Sequence, residues 1–204
     1  MKKVLIFCGI VAYILLATGA PKMPKTQPKL GAIVRLHDVI SGRFFCSGTV
    51  ISDSLVLTAA HCLAMPVGIS VRTIDGVERG VLATVVNADS RGDLGLIKGD
   101  FKQFEKLPIS IEPDDVINSF KYGRVQACGY PRAGKLWCTK FTFKAAANFQ
   151  FAGDGTLYPG MSGGPVIDMV TGNVIGVNTA VDEYGRIILS PIIELWADLD
   201  VNPE

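Results

Sequence analysis

The chain has 204 residues with 20 basic and 19 acidic side chains, so its formal net charge is only +1. Neither sign of charge forms a long run outside the N-terminus, and this balance excludes the basic surface of a nucleic-acid-binding protein. The length suits one compact domain behind a short N-terminal leader.

Residues 1–20 have the pattern of a targeting segment. Two lysines precede an apolar run over residues 4–20, as in sequences that route a chain to a membrane for export. Small residues at 17–20 favour cleavage there, whereas Pro21 disfavours a cut directly before it. A cleaved signal peptide, which gives a secreted or extracytoplasmic protein, and a retained membrane anchor through residues 4–20 both stay open.

Residues 21–30 form a Pro- and Lys-rich linker, because this composition buries no core and favours an extended, solvated chain. The folded domain then spans residues 31–204. Short runs of Val, Ile, Leu and Thr alternate there with Gly, Asp, Asn and Pro turns, which predicts a mainly β fold. One helix is predicted over about residues 190–199, with Ser190 as its cap and Pro191 in its first turn.

The sequence Gly160-Met161-Ser162-Gly163-Gly164-Pro165 sets a serine among glycines directly before an apolar strand. Glycine permits positive φ, which lets successive backbone N–H groups converge on an oxyanion. A serine nucleophile also needs a general base, and that base needs an acceptor to fix its tautomer. Without such partners the motif is equally typical of an ordinary tight turn.

Two histidines are candidates for the base. His61 follows a predicted apolar hairpin and two alanines, which leave room around its imidazole. His37 occupies an outward-facing position on an early predicted strand, and we interpret it as structural.

Asp93 is the candidate for the carboxylate that orients the base. It opens the apolar sequence Leu94-Gly95-Leu96-Ile97, where an acid can be buried and still reach an imidazole. Asp89 and Asp100 are the competing acids, but both lie in turn-like sequence that favours a solvated carboxylate or an Asx-turn.

Together, the segments around His61, Asp93 and Ser162 resemble the three catalytic blocks of the trypsin-like, chymotrypsin-fold serine proteases. The order His, Asp, Ser matches this family and differs from the subtilisin and α/β-hydrolase orders. The resemblance implies an all-β domain of two packed six-stranded antiparallel β-barrels, at about residues 32–112 and 118–190, with a short C-terminal helix. Its active site would lie in the cleft between the barrels.

The same resemblance implies a serine endopeptidase that needs no cofactor and no metal. His61 acts as base and then acid, Asp93 orients it, and Ser162 forms the acyl-enzyme. The N–H groups of Gly160 and Ser162 donate to the oxyanion. A protein or peptide substrate binds extended along the strand at residues 177–180.

Four cysteines of the domain form two disulfides by this resemblance. Cys46 and Cys62 bracket the segment that carries His61, and a bridge of that separation ties the histidine loop in the family. Cys128 and Cys138 flank a turn-rich connection that brings two strand ends together. Other pairings, or four free thiols in a reducing compartment, remain the alternatives.

The departures from trypsin indicate the branch of the family. Met161 stands where the digestive and clotting enzymes carry the aspartate that binds a new N-terminus, so we expect activity without such processing. The strand at residues 174–180 is similar to HtrA-type proteases, and Cys128-Gly129-Tyr130-Pro131 is similar to these and to bacterial glutamyl endopeptidases. The chain ends at Glu204, which predicts that it has no PDZ domain.

Candidate substrate-binding residues follow from the same alignment of motifs: Thr156, Val177, Asn178, Thr179 and Ala180. Thr156 lies at the position that selects Lys or Arg in trypsin when it is aspartate, so we expect preference for a small or medium uncharged side chain. Asp154 enters the pocket only if the loop register differs. Recognition of an acidic side chain by Asn178 and Thr179 is the alternative.

Two alternative functions share the predicted fold. A non-catalytic protein-binding module keeps the protease fold, but such proteins usually lose a triad member and none is missing here. A viral or phage processing protease has the same chemistry and differs only in its substrate.

Overall fold

The computed structural model describes residues 29–64, 69–72, 81–89, 92–110, 112–147 and 150–193. Within these ranges twelve β-strands form two antiparallel sheets. The first contains β1 (Ile33–Asp38), β2 (Phe44–Val50), β3 (Leu55–Ala59), β4 (Ile69–Arg72), β5 (Val81–Asp89) and β6 (Leu94–Lys98). The second contains β7 (Val125–Gly129), β8 (Trp137–Ala147), β9 (Gln150–Asp154), β10 (Pro165–Asp168), β11 (Val174–Val181) and β12 (Ile187–Pro191).

Each sheet closes on itself. The first has the order β1-β2-β3-β6-β5-β4, and β4 pairs back onto β1. The second has the order β10-β11-β12-β9-β8-β7, and β7 pairs back onto β10. The prediction of a mainly β fold is therefore confirmed.

Strands β3 and β6 of the first sheet are buried on both faces, which explains their continuous hydrophobic runs. On β3 and β6, the paired residues Val56 and Ile97 pack in a cluster within the first sheet. Their neighbours Leu57 and Leu96 are paired as well, but they pack in a cluster that contains residues of the second sheet. Because successive strand residues face opposite sides, one side of these strands fills a core and the other joins the two sheets.

The connection between the sheets contains an α-helix that the sequence did not predict, α1 (Pro113–Lys121). Pro113 occupies its first turn with Asp114 and Asp115, and Lys121 lies in its last turn, which is the charge order that a helix dipole favours. Val116, Ser119 and Phe120 form its buried positions. The second sheet consequently starts at Val125 instead of near residue 118.

The predicted start of the C-terminal helix is wrong. Ser190 and Pro191 belong to β12, where they pair with Val177 and Gly176 of β11. Pairing across the sheet overrides the local cap-like pattern, and the later part of the predicted helix, 194–199, lies outside the described residues.

The predicted targeting segment, residues 1–20, and most of the linker at 21–30 also lie outside the described residues. In the part of the chain that the structure describes, no helix is long and apolar enough to cross a membrane.

Both expected disulfides are formed. Cys46 on β2 is bonded to Cys62, with an S–S distance of 2.00 Å. Cys128 and Cys138 are bonded across directly opposed positions of β7 and β8, with an S–S distance of 2.04 Å.

Candidate active site

His61 lies on a short 3-10 helix, Ala60–Leu63, that directly follows β3. Its neighbours Cys62 and Leu63 are buried, and the disulfide to Cys46 fixes Cys62 against β2. The His61 side chain remains 48% exposed. The turn therefore anchors itself through its buried side chains and leaves the imidazole accessible.

Asp93 binds His61 through both oxygens of its carboxylate. His61 Nδ1 donates to Asp93 Oδ2 at 2.8 Å, and the backbone N–H of His61 donates to Asp93 Oδ1 at 2.9 Å. The Asp93 carbonyl oxygen also accepts the N–H of Ala60 at 3.0 Å. With Nδ1 protonated by this arrangement, Nε2 is the nitrogen with a free lone pair and can act as a base.

The electrostatics of this pair favour a protonated imidazole. The hydrogen bond that His61 donates to Asp93 raises the pKa of His61 above its ordinary value of 6.5; partial burial opposes this shift, and the charge of Asp93 adds to it. Asp93 itself adopts φ 54°, which makes it the one non-glycine residue with positive φ in the described ranges. Aspartate tolerates this left-handed conformation better than most residues, and such strain is typical of functional sites.

The other candidate residues in the first sheet do not join this pair. His37 is buried, so the expectation that it faces outward is wrong, and its Nδ1 lies 3.0 Å from the carbonyl oxygen of Gly42. Asp100 is exposed and accepts the N–H of Lys102 in a turn, as predicted. Asp89 ends β5, where its backbone pairs with Leu94.

The turn that carries Ser162 packs directly against the first sheet. Gly160 has φ 101°, and a β-carbon there would lie 2.7 Å from the ring of Phe44 and from the carbonyl oxygen of Tyr130. At Gly163, with φ 78°, a β-carbon would overlap Thr58 and the backbone of Ser47. Only glycine permits this approach, which packs the turn of Ser162 against the end of β3, directly before the 3-10 helix that carries His61.

Two N–H groups of this turn have no acceptor among the described residues, those of Gly160 and Ser162. The peptide carbonyl that precedes Gly160, on Pro159, accepts the N–H of Arg132 at 2.9 Å. The carbonyl that precedes Ser162, on Met161, accepts the N–H of Gly164 at 3.1 Å. In a trans peptide the N–H points away from the C=O, so both carbonyls are bonded on one side and both N–H groups are left available on the other.

The hydroxyl of Ser162 does not donate to His61 in this structure. It donates to the carbonyl oxygen of Thr179 at 3.3 Å, while His61 Nε2 lies 3.7 Å from Cys62 Sγ. Catalytic hydrogen bonds are often absent or long before substrate binds. Attack by this serine therefore requires its hydroxyl to leave Thr179 and engage Nε2.

The sulfur atoms of Cys46 and Cys62 and a ring nitrogen of His61 lie within 4.8 Å of one another. Both sulfurs are oxidised in the disulfide. Zinc binds cysteine as the thiolate, so these residues as bonded here do not fit a metal.

A cavity of about 200 Å³ opens beside Ser162. Its other lining residues are Leu157, Tyr158, Pro159, Ala180 and Val181. Of the five predicted substrate-binding residues, only Ala180 lines this cavity. The sequence analysis missed the other lining residues. Leu157, Tyr158 and Pro159 lie between two residues that it did single out, Thr156 and Gly160, and Val181 directly follows Ala180.

The other four predicted substrate-binding residues do not line this cavity. Thr156 is exposed, and its N–H donates to Thr139 Oγ1 at 3.3 Å. Val177 and Asn178 are fully buried, and Thr179 is buried with its Oγ1 2.8 Å from Ser190 Oγ. Asp154 is exposed and pairs with Lys144 Nζ at 3.0 Å, away from the cavity lining.

Comparison with known proteins agrees with this geometry. Residues 46–177 match the family described as the trypsin-like peptidase domain. A segment of 30 residues is 63% identical to the snake venom serine protease serpentokallikrein-1 of Protobothrops mucrosquamatus, and it covers 15% of this chain and 12% of that protein.

Solved structures show the same fold. The serine endoprotease from Yersinia pestis superposes with a TM-score of 0.68 at 25% identity, over 82% of this chain and 61% of that one. The HtrA-type protease AlgW superposes with a TM-score of 0.62 at 22% identity, over 79% of this chain and 61% of that one. With the family match covering most of the domain, the chain belongs to the trypsin-like peptidase domain family.

Proposed function

We propose that this protein is a serine endopeptidase that hydrolyses peptide bonds through His61, Asp93 and Ser162. The observation that carries the proposal is the turn of Ser162, which leaves two N–H groups without acceptors and packs against the segment that holds the His61–Asp93 pair. We also infer that the two closed sheets are the two barrels of a chymotrypsin fold, with the site between them.

The mechanism follows from the roles of these groups. Asp93 holds Nδ1–H of His61, so Nε2 takes the proton of Ser162 as its Oγ attacks the substrate carbonyl carbon. The N–H groups of Gly160 and Ser162 donate to the resulting oxyanion. His61 then protonates the leaving amine, and a water molecule, activated in the same way, releases the acyl group from Ser162.

The cavity supports a substrate with a small or medium apolar side chain at the scissile bond. Its lining residues carry no charged group. The polar side chains of Asn178 and Thr179 are buried and hydrogen-bonded to other protein groups, which argues against recognition of an acidic side chain. Ala180 and Val181 are exposed at the end of β11, and we propose that the substrate backbone pairs along this edge.

Both disulfides favour action in an oxidising, extracytoplasmic compartment. The N-terminal sequence, in which two lysines precede an apolar run, also supports export of the protein to such a compartment.

One observation favours a second candidate, a non-catalytic binding module. The Ser162 hydroxyl donates to Thr179 and does not engage His61. If this arrangement persists with substrate bound, the protein binds peptides without cleaving them.

Labelling with a fluorophosphonate probe separates the two candidates. We expect the wild-type chain to be labelled at one site, Ser162→Ala to lose the label, and Ser54→Ala, which changes an exposed serine in a turn, to keep it. An unlabelled wild type with intact β-rich circular dichroism would favour the binding module. For a labelled enzyme, cleavage of a mixed peptide library should show apolar residues before the scissile bond, and a preference for Glu or Lys would contradict the substrate proposal.

A further inference from the structure

Two buried polar side chains hold the turn of Ser162, one from each sheet. Ser47 of β2 and Asn178 of β11 are both 0% exposed. We infer that Ser47 and Asn178 are positioning residues: Asn178 fixes the peptide that supplies the Ser162 N–H, Ser47 fixes the two peptides that flank it, and together they keep the site competent without an activation cleavage. The inference rests on the proposed function.

Ser47 uses every polar atom it has at this junction. Its Oγ donates to the carbonyl oxygen of Gly160 at 2.8 Å and accepts the N–H of Tyr130 at 2.8 Å. Its backbone N–H donates to the carbonyl oxygen of Ser162 at 2.8 Å, and its own carbonyl oxygen accepts Thr58 Oγ1–H at 2.8 Å. One residue of the first sheet thus restrains the two peptides that flank the Met161–Ser162 peptide.

Asn178 restrains the peptide that supplies an oxyanion donor. Its Nδ2 donates to the carbonyl oxygen of Met161 at 3.1 Å and to that of Cys128 at 2.7 Å. The Met161 carbonyl and the Ser162 N–H belong to one peptide plane, so bonding the carbonyl from behind directs the N–H toward the opposite side. The Asn178 backbone adds two bonds to the same turn, from Gly163 N–H at 2.7 Å and to the carbonyl of Gly164 at 2.9 Å.

The Asn178 amide is an unfavourable choice for stability alone. Its Oδ1 is buried and has no hydrogen-bond partner among the residues that the structure describes, and an unsatisfied buried acceptor destabilises a fold. An apolar residue of similar size would avoid that cost but would leave the Met161 carbonyl without its side-chain donor. A role in the site explains why an amide stands here.

Met161 explains why such restraint is needed. The trypsin-like digestive enzymes fix this turn with an aspartate that binds a newly formed N-terminal ammonium, but here the position is a methionine with a fully buried side chain. No such ion pair can form at an apolar side chain. Ser47 and Asn178 provide neutral hydrogen bonds to the same turn, which are present as soon as the chain has folded.

Kinetics of two variants test this role. Loss of one oxyanion donor typically lowers kcat by about 100- to 1000-fold, so Asn178→Leu, which keeps nearly the same size and removes both donor bonds, should lower kcat about 100-fold with KM nearly unchanged. Ser47→Ala, which removes a single oxygen atom and should preserve the fold, should lower kcat about 10-fold. Both should weaken inhibition by a peptide ending in valinal, whose tetrahedral adduct places an oxygen at the donors. Each kcat is calculated per active site, and the number of active sites in each preparation is measured by titration.

Ser119→Ala is the matched control, because Ser119 is also a fully buried serine in the second half, and its hydroxyl bonds Asp115 and Asp168 instead of the turn. We expect a lower Tm and an unchanged kcat. If Ser47→Ala and Asn178→Leu of an active enzyme also keep kcat and valinal affinity within about twofold, their role is structural and the inference is wrong. A folded wild type that cleaves no peptide and binds no valinal would instead contradict the proposed function, and this inference with it.

Discussion

In the first sheet, Asp93 already holds His61 through two hydrogen bonds, whereas in the second sheet the hydroxyl of Ser162 still donates to Thr179. The backbone around Ser162 is nevertheless in place, since Pro159 and Met161 have bonded carbonyls and the following N–H groups are available. Hydrogen bonds from His61 to the Asp93 side chain thus hold the first pair, whereas backbone hydrogen bonds hold the turn that carries Ser162. To complete the triad that we propose, the Ser162 hydroxyl has to move from Thr179 to His61 Nε2, which is a rearrangement of side chains and not a change of fold.

The largest effect should come from removing one member of each region. Ser162→Ala and His61→Ala should each lower kcat about a millionfold, as for other serine hydrolases whose triad acts as a unit. The double variant should be no worse than either single variant, because the two groups serve one proton-transfer step. Steady-state kinetics on folded protein provides the measurement. Losses that add would show that the two regions act independently.

Asp93→Asn should have the next largest effect, a fall in kcat of about 10⁴-fold, because an amide presents a donor to Nδ1 and favours the wrong tautomer of His61. Asparagine tolerates positive φ, so the fold should be kept. Asp100→Asn, an exposed acid in a turn, is the control and should change nothing. Full activity of Asp93→Asn together with an inactive Asp89→Asn would move the carboxylate role to Asp89.

The two disulfides allow the regions to be perturbed separately. Replacing either cysteine pair with alanines should lower the free energy of unfolding by about 3 kcal/mol, since the bridges close loops of 16 and 10 residues. Loss of Cys46–Cys62 should also lower kcat, because Cys62 adjoins His61. Urea unfolding and kinetics on both variants would measure this. A larger loss of kcat without Cys128–Cys138 would show that the nucleophile side depends more on its bridge.

The smallest expected effect is on pH dependence. Asp93 raises the pKa of His61, so kcat/KM should rise through an acid limb above pH 6.5, and Asp93→Asn should move that limb to lower pH. Stability should change in the opposite sense. Because the folded-state pKa exceeds the unfolded one, protonated His61 stabilises the fold fully below about pH 6.5, and this contribution disappears as the pH rises through the folded pKa. Profiles of kcat/KM and Tm over the same pH range test both signs, and a limb below pH 6.5 would contradict the geometry.

Short sequence motifs were sufficient to predict the mainly β fold and the pairing of His61 with Asp93, whereas the two bridges were predicted from the resemblance to the trypsin-like proteases. Helix α1 was missed because its nine residues contain few apolar positions. Its proline and acidic first turn, and the spacing of Val116 and Phe120, were the available signals. At Ser190 the local cap-like pattern was misleading, because pairing with Val177 decides the structure there.

The roles of Ser47 and Asn178 could not be predicted, for a different reason. Their hydrogen bonds join residues far apart in the chain, Ser47 to Gly160 and Asn178 to Cys128. A buried serine or asparagine carries no sequence signal of the carbonyl it will bind. The cavity beside Ser162 is equally non-local, because a loop and the end of β11 meet only in the folded chain.

The packing of Gly163 against Thr58 and Ser47 has a consequence for biosynthesis. His61 and Asp93 are synthesised before the turn of Ser162, and β11 with Asn178 follows that turn. Folding proceeds from the N-terminus as the chain emerges, so the segment that Gly163 packs against can form before that turn is made. The bond from Asn178 that holds the turn forms only after β11 has been synthesised.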